Sequence, residues 1–350
     1  MPDVQTVLGP VDAGALGHFQ PHEHLIVRQT PAAEKNPALL IDDEEKSLLE
    51  LCDYLRAGGG AIADAQPGGA GRDAAALVRL SEKSGVHIVA VTGYHRPMFY
   101  PPGHGIFSED GSRLRERFLM ELTVGIEEGC AWQRAGETGE RPALGHVRPR
   151  NRAVSGLPCG GESADHGRLS ARAGAVKAAL GPDGPTGRDG VLLRAAASAA
   201  LAAGAPLILH TESGTDSVAA VAFCERAGLD PSRILLCHLD RQSDDFRPHE
   251  AAARTGASLE YDTIGRFRYH DDESEIRLIR HMLEKGHGDR LLFSLDTTAA
   301  RLGRYGGETG LCYLIETFLP MLAAAGVSPA NIEAITRKNP ARAFSLEGRG

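Results

Sequence analysis

The chain has 350 residues, of which 42% are hydrophobic and 24% charged, as in a globular protein with a sizeable core. Its net charge of −8 and pI near 6.0 argue against a nucleic-acid-binding surface, which is normally basic. The six cysteines have no paired spacing, no signal peptide is visible, and no run approaches about 18 consecutive apolar residues. We therefore expect a cytoplasmic protein with reduced thiols and no membrane span.

Short apolar runs alternate with amphipathic helical patterns along the chain, as they do in βα units. The predicted strands are residues 17–26, 60–65, 86–94, 174–180, 206–210, 234–238, 258–261 and 291–296. The predicted helices are residues 44–57, 73–84, 114–129, 189–203, 217–227, 250–255, 274–285, 310–325 and 331–344. Eight strands separated by helices predict an α/β protein with a (β/α)8 TIM barrel. No linker divides the pattern, so residues 1–350 are expected to form a single domain.

Residues 131–172 interrupt this alternation immediately before the fourth predicted strand. The segment contains glycine, proline, serine and seven arginines, without an apolar period. Irregular loops longer than about 15 residues are uncommon in compact domains. We predict a long irregular insertion within the barrel, and an insertion without function is the favoured interpretation of it.

The first predicted strand contains the sequence His22-Glu-His24. Side chains two residues apart on a strand point to the same face, so both imidazoles can reach one divalent ion. A lone pair of this kind is weak evidence, because a polar cluster would have the same spacing.

Three further polar residues end apolar runs, and they are His210, His238 and Asp296. Active sites of parallel barrels are built at the C-terminal ends of strands, where these side chains would converge. A histidine there can also be a hydrogen-bonded core residue, and Asp296 could be the N-cap of a helix. A buried aspartate nevertheless needs a cation or donors, which favours the metal interpretation.

Lys177 lies in the middle of the strand predicted at residues 174–180, although the chain has 32 arginines and only 6 lysines. A charged amine is costly to bury. A buried lysine can lose its proton, whereas an arginine cannot. The neutral amine could then take up carbon dioxide and become a carbamate, which would act as a bridging carboxylate.

Together these motifs resemble the phosphotriesterase-like branch of the amidohydrolase superfamily. The resemblance extends over almost the whole chain. It rests on Thr6-Val-Leu-Gly-Pro10, Pro21-His-Glu-His-Leu25, Thr92-Gly-Tyr94, Ala173-Gly-Ala-Val-Lys177, Leu209-His-Thr-Glu212, Ile234-Leu-Leu-Cys-His-Leu-Asp240 and Asn339-Pro-Ala-Arg342. The insertion before the lysine strand is longer than the family pattern leads one to expect.

The resemblance implies two divalent ions per subunit, with zinc expected and manganese or cobalt as alternatives. His22, His24 and Asp296 would hold the deeper ion, His210 and His238 the outer one, and carbamylated Lys177 would bridge them. A hydroxide shared by the ions would attack the substrate, and Asp296 would accept its proton and pass it to the leaving group. Homodimers are usual in such proteins.

The loops after the last three strands are rich in arginine, which suits a phosphate or carboxylate. The candidate substrate-binding residues there are Arg241, Arg266, Arg268, Arg301, Arg304 and Tyr305, and Tyr94 could contact either the substrate carbonyl or another site residue. These loops resemble those of the subgroup that hydrolyses phosphorylated sugar lactones. Arginines on solvated loops are the alternative interpretation.

The predicted function is therefore metal-dependent hydrolysis of a small anionic substrate, a phosphorylated sugar lactone. A phosphotriesterase, carboxylesterase or amidase with the same binuclear centre is an alternative. A metal-binding barrel without catalysis is a third, although such a protein would not need Asp296 as a proton acceptor.

Overall fold

The computed structural model describes residues 2–127 and 169–346. The strands of this part are β1 Asp3–Thr6, β2 Gly9–Asp12, β3 His18–Glu23, β4 Gly59–Asp64, β5 His87–Gly93, β6 Ala175–Ala179, β7 Leu207–His210, β8 Ile234–Cys237, β9 Ser258–Tyr261 and β10 Leu291–Phe293. The α-helices are α1 Pro31–Lys35, α2 Glu44–Arg56, α3 Ala74–Ser84, α4 Gly111–Thr123, α5 Gly187–Ala203, α6 Ser217–Arg226, α7 Arg247–Arg254, α8 Asp272–Glu284, α9 Leu319–Ala324, α10 Pro329–Glu333 and α11 Asn339–Phe344.

Strands β3 to β10 form one parallel sheet in chain order, with helices between successive strands. Its two edges approach each other where β10 ends. There the Asp296 amide donates to the His22 carbonyl at 3.2 Å, and the His22 amide donates to Ser294 Oγ at 2.8 Å. The sheet is therefore nearly closed, and the predicted (β/α)8 barrel is confirmed.

The strands have both faces buried, as expected when helices cover a parallel sheet. In β4, Ala61 and Ala63 pack into the barrel interior, while Ile62 packs in the layer that the sheet shares with the helices. Strand β5 repeats this alternation, with Val89 and Val91 inside. Small and β-branched residues fill the narrow interior, which is why these apolar runs form barrel strands.

Aspartates begin most of the long helices. The N-cap carboxylates of α2, α3, α4, α6 and α8 accept hydrogen bonds from backbone amides in the first turn, and they belong to Asp43, Asp73, Asp110, Asp216 and Asp271. Such a cap stabilises a helix by about 1 kcal/mol. Each cap orients a helix behind the loop that precedes it, and several of those loops reach the mouth of the barrel.

Two predicted helices contain wider turns than expected. The helix predicted at 310–325 contains a π-helical turn, Leu314–Phe318, directly before α9, and another π-helical turn, Ala334–Lys338, precedes α11. In each case a proline, Pro320 or Pro340, is the second residue of the α-helix that follows. Because proline has no N–H to donate, the hydrogen-bond ladder widens just before it.

An antiparallel hairpin of β1 and β2 precedes the barrel, and the predicted strands did not include it. It pairs with the other end of the chain through a bridge between Val4 and Ser345. The amide of Val7 also donates to the carbonyl of Ile88 near the start of β5, at 2.8 Å. The hairpin thus covers the end of the barrel where the strands begin.

Most of the predicted insertion, residues 131–168, lies outside the described residues, as do the last two residues of the helix predicted at 114–129. Among the described cysteines, Cys52, Cys224, Cys237 and Cys312 are free thiols. In residues 2–127 and 169–346, no helix combines the length and apolar character needed to cross a bilayer.

Candidate metal centre at the barrel mouth

The six predicted metal ligands lie together where the strands end. They come from five strands or the residues directly after them: His22 and His24 at β3, Lys177 in β6, His210 at the end of β7, His238 after β8 and Asp296 after β10. Lys177 and His22 are each 1% exposed. Three of the other four ligands are also buried, and the His24 side chain is 13% exposed. Parallel strands end at one rim of the barrel, so residues scattered over the sequence converge there.

Within this group, one set of contacts surrounds His22. Lys177 Nζ lies 3.0 Å from His22 Nε2. Asp296 Oδ1 lies 3.9 Å from His22 Nε2 and 3.3 Å from His24 Nε2. His22, His24 and Asp296 each offer one ligand atom within 4.8 Å of the others, a spacing that a single ion can span.

The remaining two histidines form the neighbouring pair. His238 Nε2 lies 2.8 Å from His210 Nδ1, and the rings of His22 and His238 are 5.0 Å apart. Both His238 and Asp296 have left-handed backbones, with φ of 64° and 48°. For residues other than glycine this conformation costs about 1–3 kcal/mol and is concentrated at functional sites. The strain aims both side chains at the mouth.

Two carboxylates that the sequence analysis missed hold these rings from behind. Asp262 Oδ1 accepts from His238 Nδ1 at 2.7 Å, and Asp262 Oδ2 lies 3.3 Å from His22 Nδ1. Glu260 Oε2 accepts from His22 Nδ1 at 3.1 Å. Histidines that bind metals usually donate their other ring N–H to such a partner. A signal was present, since two acids alternate in the buried segment Ser258-Leu-Glu-Tyr-Asp262.

The ionisation of these groups follows from their surroundings. Burial lowers the pKa of His238 well below its usual value despite the nearby Asp262, and burial lowers the pKa of His210 to about 4. Burial opposes ionisation of Asp296, but Arg266 and His24 outweigh it, so its pKa lies well below the usual value. His210 and His238 thus present neutral imidazoles and Asp296 an ionised carboxylate, the forms that bind metals.

His22 differs from the other rings. Burial and Lys177 lower the pKa of His22, but Cys237, Glu260 and Asp262 outweigh them and raise it well above its usual value. The surrounding groups therefore favour a positive charge at this ring, which either a proton or a metal ion would supply.

The hydrogen bonds of His210 and His238 test whether the residues suit a metal. His238 uses its Nδ1 proton for Asp262, and His210 Nε2 lies 3.0 Å from Glu212 Oε1. The nitrogens that remain, His238 Nε2 and His210 Nδ1, then face each other as two lone pairs only 2.8 Å apart. Two facing acceptors need a cation near them, so the donor set fits a divalent ion.

A cavity of about 590 Å³ opens above this centre. Four of the predicted substrate-binding residues line it, and they are Arg241, Arg266, Arg268 and Arg301. Arg266 Nη1 donates to Asp296 Oδ2 at 2.8 Å. Arg301 donates to the backbone carbonyls of Leu295 and Ile264, so its guanidinium mainly holds loops together.

The other three predicted substrate-binding residues lie apart from this cavity lining. The Arg304 guanidinium pairs with Asp53 on α2, at 2.8 Å from Nε. Tyr305 OH donates to the Asp43 carbonyl at 2.7 Å. Tyr94 OH accepts from Arg117, and its ring packs edge-on against Phe118. These partners lie far from the three residues in sequence, which is why loop composition alone could not reveal them.

The sequence analysis also missed a polar wall on the β5 and β7 side. Arg96 donates to Glu212 Oε1 at 2.6 Å, and the His95 ring lies 4.8 Å from the His210 ring. All four residues line the cavity. Glu212 follows His210 at the spacing i, i+2, which is a local signal of this wall in the sequence.

Comparison with known proteins assigns the chain to a family. The model of the Phosphotriesterase family matches residues 2–136 and 166–344. The chain belongs to the Phosphotriesterase family. The internal gap in the match, residues 137–165, falls within the predicted insertion.

Two relatives and one solved structure illustrate what this chain is similar to. A phospho-furanose lactonase of Mycoplasmopsis synoviae is 26% identical over 98% of this chain and 92% of its own length. An N-acetyltaurine hydrolase of Bos taurus is 24% identical over 96% of each chain. The crystal structure of a lactonase from Listeria monocytogenes superposes with a TM-score of 0.83 at 22% identity, over 99% of this chain and 100% of that one. At that identity the structural likeness establishes the fold alone.

Proposed function

We propose that this member of the Phosphotriesterase family is a metal-dependent hydrolase that opens the lactone of a phosphorylated sugar. The observation that carries the proposal is the convergence of six donors at one mouth, with ring nitrogens of His210 and His238 facing each other as lone pairs. His22, His24 and Asp296 would hold the deeper of two ions, and His210 and His238 the outer one. Lys177 would bridge them as a carbamate. Zinc stays the predicted metal, and the homodimer stays a prediction.

When bound, the ions would supply a water of lowered pKa and would polarise the lactone carbonyl. Asp296 would move the proton. Its Oδ2 is held by Arg266 at 2.8 Å, whereas Oδ1 faces His24 and His22. Oδ1 would therefore accept the proton of the attacking water and return it to the ring oxygen as the ester bond breaks.

The phosphate group would bind to Arg241 and Arg268, a narrower set than the sequence suggested. Within the part of the chain that the structure describes, Arg241 Nε is buried without a hydrogen-bond partner. The terminal nitrogens of Arg241 make long contacts there, 3.6 Å to Glu212 and 4.0 Å to Asp296. Arg241 and Arg268 both lie over the ring of Tyr269, at 5.5 and 4.5 Å from its centroid. Two guanidinium groups with spare donors beside the centre suit a phosphate dianion.

Amide hydrolysis is the second candidate, favoured by the relatives named N-acetyltaurine hydrolase. Their substrate carries a sulfonate, which the same arginines could bind, and an acetamide carbonyl could replace the lactone carbonyl. Side-by-side assays of phosphorylated lactones and N-acetyltaurine with the metal-loaded protein would separate the two reactions.

The decisive experiment pairs substrates with arginine variants. A charged hydrogen bond contributes about 1.5–3 kcal/mol, so Arg241→Met should lower kcat/KM for a phosphorylated lactone by about 10- to 100-fold. Hydrolysis of the unphosphorylated lactone should change little. Arg304→Met is the matched control, because Arg304 pairs with Asp53 away from the cavity. Equal losses on both lactones would refute phosphate recognition by Arg241, and absence of lactone hydrolysis by metal-loaded wild type would refute the proposed reaction.

A further inference from the structure

A second group of side chains that could bind a metal lies behind the loops that carry Arg241 and Arg268. It shares no residue with the six donors at the mouth. It consists of Asp240, in the turn after β8, His270, just before α8, and Glu275, in the first turn of α8. One ligand atom from each lies within 4.8 Å of the others. That separation is close to twice a metal–oxygen bond of about 2.2 Å. We call these three residues the Asp240 cluster.

The carboxylates of the Asp240 cluster are fully buried and incompletely hydrogen-bonded. Asp240 Oδ2 accepts from the Thr263 amide at 2.6 Å, but Asp240 Oδ1 has no hydrogen-bond partner among residues 2–127 and 169–346. Glu275 Oε1 likewise has none. Both side chains are 0% exposed, so bulk water cannot compensate. Leaving such oxygens unsatisfied is costly, and each one needs an explanation.

The Nε2 atom of His270 faces these oxygens as a hydrogen-bond acceptor. Its Nδ1 lies 3.1 Å from the Asp271 carbonyl, which can only accept, so the ring proton belongs on Nδ1. Nε2 then carries a lone pair, which accepts from Thr263 Oγ1 at 3.1 Å. The same nitrogen lies 3.2 Å from Glu275 Oε2, without hydrogen-bond geometry. A lone pair facing a carboxylate at that distance calls for a cation between them.

The negative charge around the Asp240 cluster also favours a cation. Asp272 is also buried, but its two oxygens accept from the Gly265 amide at 3.0 Å and from Tyr313 OH at 2.6 Å, so it adds negative charge without being free to bind. Burial first, and then Asp240 and Asp272, raise the pKa of Glu275 well above its usual value. In the described parts of the chain, no lysine or arginine forms an ion pair with Asp240 or Glu275.

We propose that the Asp240 cluster binds a divalent cation, separate from the centre at the mouth. Asp240 Oδ1, a Glu275 oxygen and His270 Nε2 would be its ligands, with the Thr263 hydroxyl within reach. Two carboxylates and one imidazole suit Mn²⁺ or Zn²⁺. His270 also lines a cavity of about 620 Å³, which gives an ion a route to the site.

The position of the site gives the ion a structural task. Asp240 directly precedes Arg241, and the loop from Thr263 to His270 carries Arg268 and Tyr269. A cation shared by Asp240, His270 and Glu275 would tie both arginine-bearing loops to α8. The ion would therefore fix the loops without touching the substrate.

The test counts Mn²⁺ bound to the whole protein after removal of metal with a chelator. Free Mn²⁺ is measured by electron paramagnetic resonance during titration. Glu275→Gln is expected to bind one equivalent less than wild type and to lose part of the rise in melting temperature that Mn²⁺ gives. Glu273→Gln is the matched control, because Glu273 is exposed in the same turn of α8. It should bind as wild type does.

If Glu275→Gln fails to fold, His270→Asn supplies the same readout from a less buried position, and it too should lose one equivalent. Unchanged Mn²⁺ stoichiometry in a folded variant of either residue would overturn the proposal and leave a proton shared among the side chains as the explanation. The test compares the number of Mn²⁺ ions bound by variants that all keep the same donors at the mouth. The difference between variants therefore does not depend on what the centre at the mouth does. Failure of the lactone assays would leave it interpretable.

Discussion

The two ends of the barrel are built from opposite kinds of residue. At the end where the strands begin, the hairpin of β1 and β2 and helix α11 close an apolar plug in which the rings of Phe19 and Phe344 lie 4.9 Å apart. At the end where the strands finish, buried imidazoles, an amine and carboxylates face one another, and His238 and Asp296 have left-handed backbones. One end contributes stability, and the other concentrates charge and strain.

Strand β3 contributes to both ends. Phe19, 1% exposed, packs into the apolar plug near the start of β3, and His22, also 1% exposed, reaches the candidate metal centre near its end. The two side chains are equally buried, yet one gains free energy by leaving water and the other requires charged partners. This difference predicts that substitutions at the mouth change activity more than stability, and that substitutions in the plug do the reverse.

The largest effect is expected for Asp296→Asn at the mouth. The amide cannot accept a proton, and general acid–base catalysis contributes about 10²–10⁴-fold, so kcat should fall by that factor. The variant should remain folded, because Asn keeps the side-chain volume and an oxygen for Arg266. Steady-state rates on the best lactone substrate, together with circular dichroism, measure both. A variant with wild-type rates would show that Asp296 does not move the proton.

The second largest effect is expected for Phe344→Ala in the apolar plug. Removing a fully buried phenylalanine ring leaves a cavity and costs about 3–5 kcal/mol of unfolding free energy. Leu8→Ala is the control, because Leu8 is 52% exposed in the turn of the hairpin. Urea denaturation measures the stability of each variant, and kcat per folded protein should stay near that of wild type. A large loss of kcat without loss of stability would contradict the division between the two ends.

Much of the mouth was predictable because four of the six candidate metal ligands end or interrupt an apolar run. His210 and His238 are the first polar residues after buried stretches. Asp296 ends the run Leu291-Leu-Phe-Ser-Leu-Asp296, and Lys177 stands alone in another apolar run. The barrel topology then fixes where such residues meet, since parallel strands finish at the same rim. Local pattern and fold class together were sufficient here.

The remaining features depend on contacts between distant segments. Loop composition suggests Arg304 as a substrate ligand, whereas in the fold its guanidinium pairs with Asp53, 251 positions away in the sequence. The hairpin of β1 and β2 is too short to show a clear alternation, and its bridge joins Val4 to Ser345 at the far end of the chain. Glu260 and Asp262 alternate at the end of β9, but only the fold shows that they lie behind the rings of His22 and His238.

Asp262→Asn tests the charged side of the comparison at a residue that would not touch metal or substrate. Asp262 Oδ1 accepts from Nδ1 of His238 at 2.7 Å, and Asp262 Oδ2 lies 3.3 Å from Nδ1 of His22. An asparagine side chain has one oxygen and one NH₂, so it can satisfy only one of two ring N–H groups. The other ring must change tautomer or rely on Glu260, and a protonated Nε2 turned to the mouth cannot bind a cation.

Loss of such a partner typically lowers metal affinity or activity by 10–100-fold, about 1.4–2.7 kcal/mol, and we expect that reduction in Zn²⁺ affinity for Asp262→Asn. Competition with a chromogenic chelator measures it. Asp289→Asn is the control, because the Asp289 side chain is 54% exposed and pairs with Arg290 near the start of β10. Unchanged Zn²⁺ affinity in Asp262→Asn would mean that the imidazoles are oriented by packing alone. The buried acids would then stabilise the fold, and the contrast between the two ends of the barrel would be one of composition only.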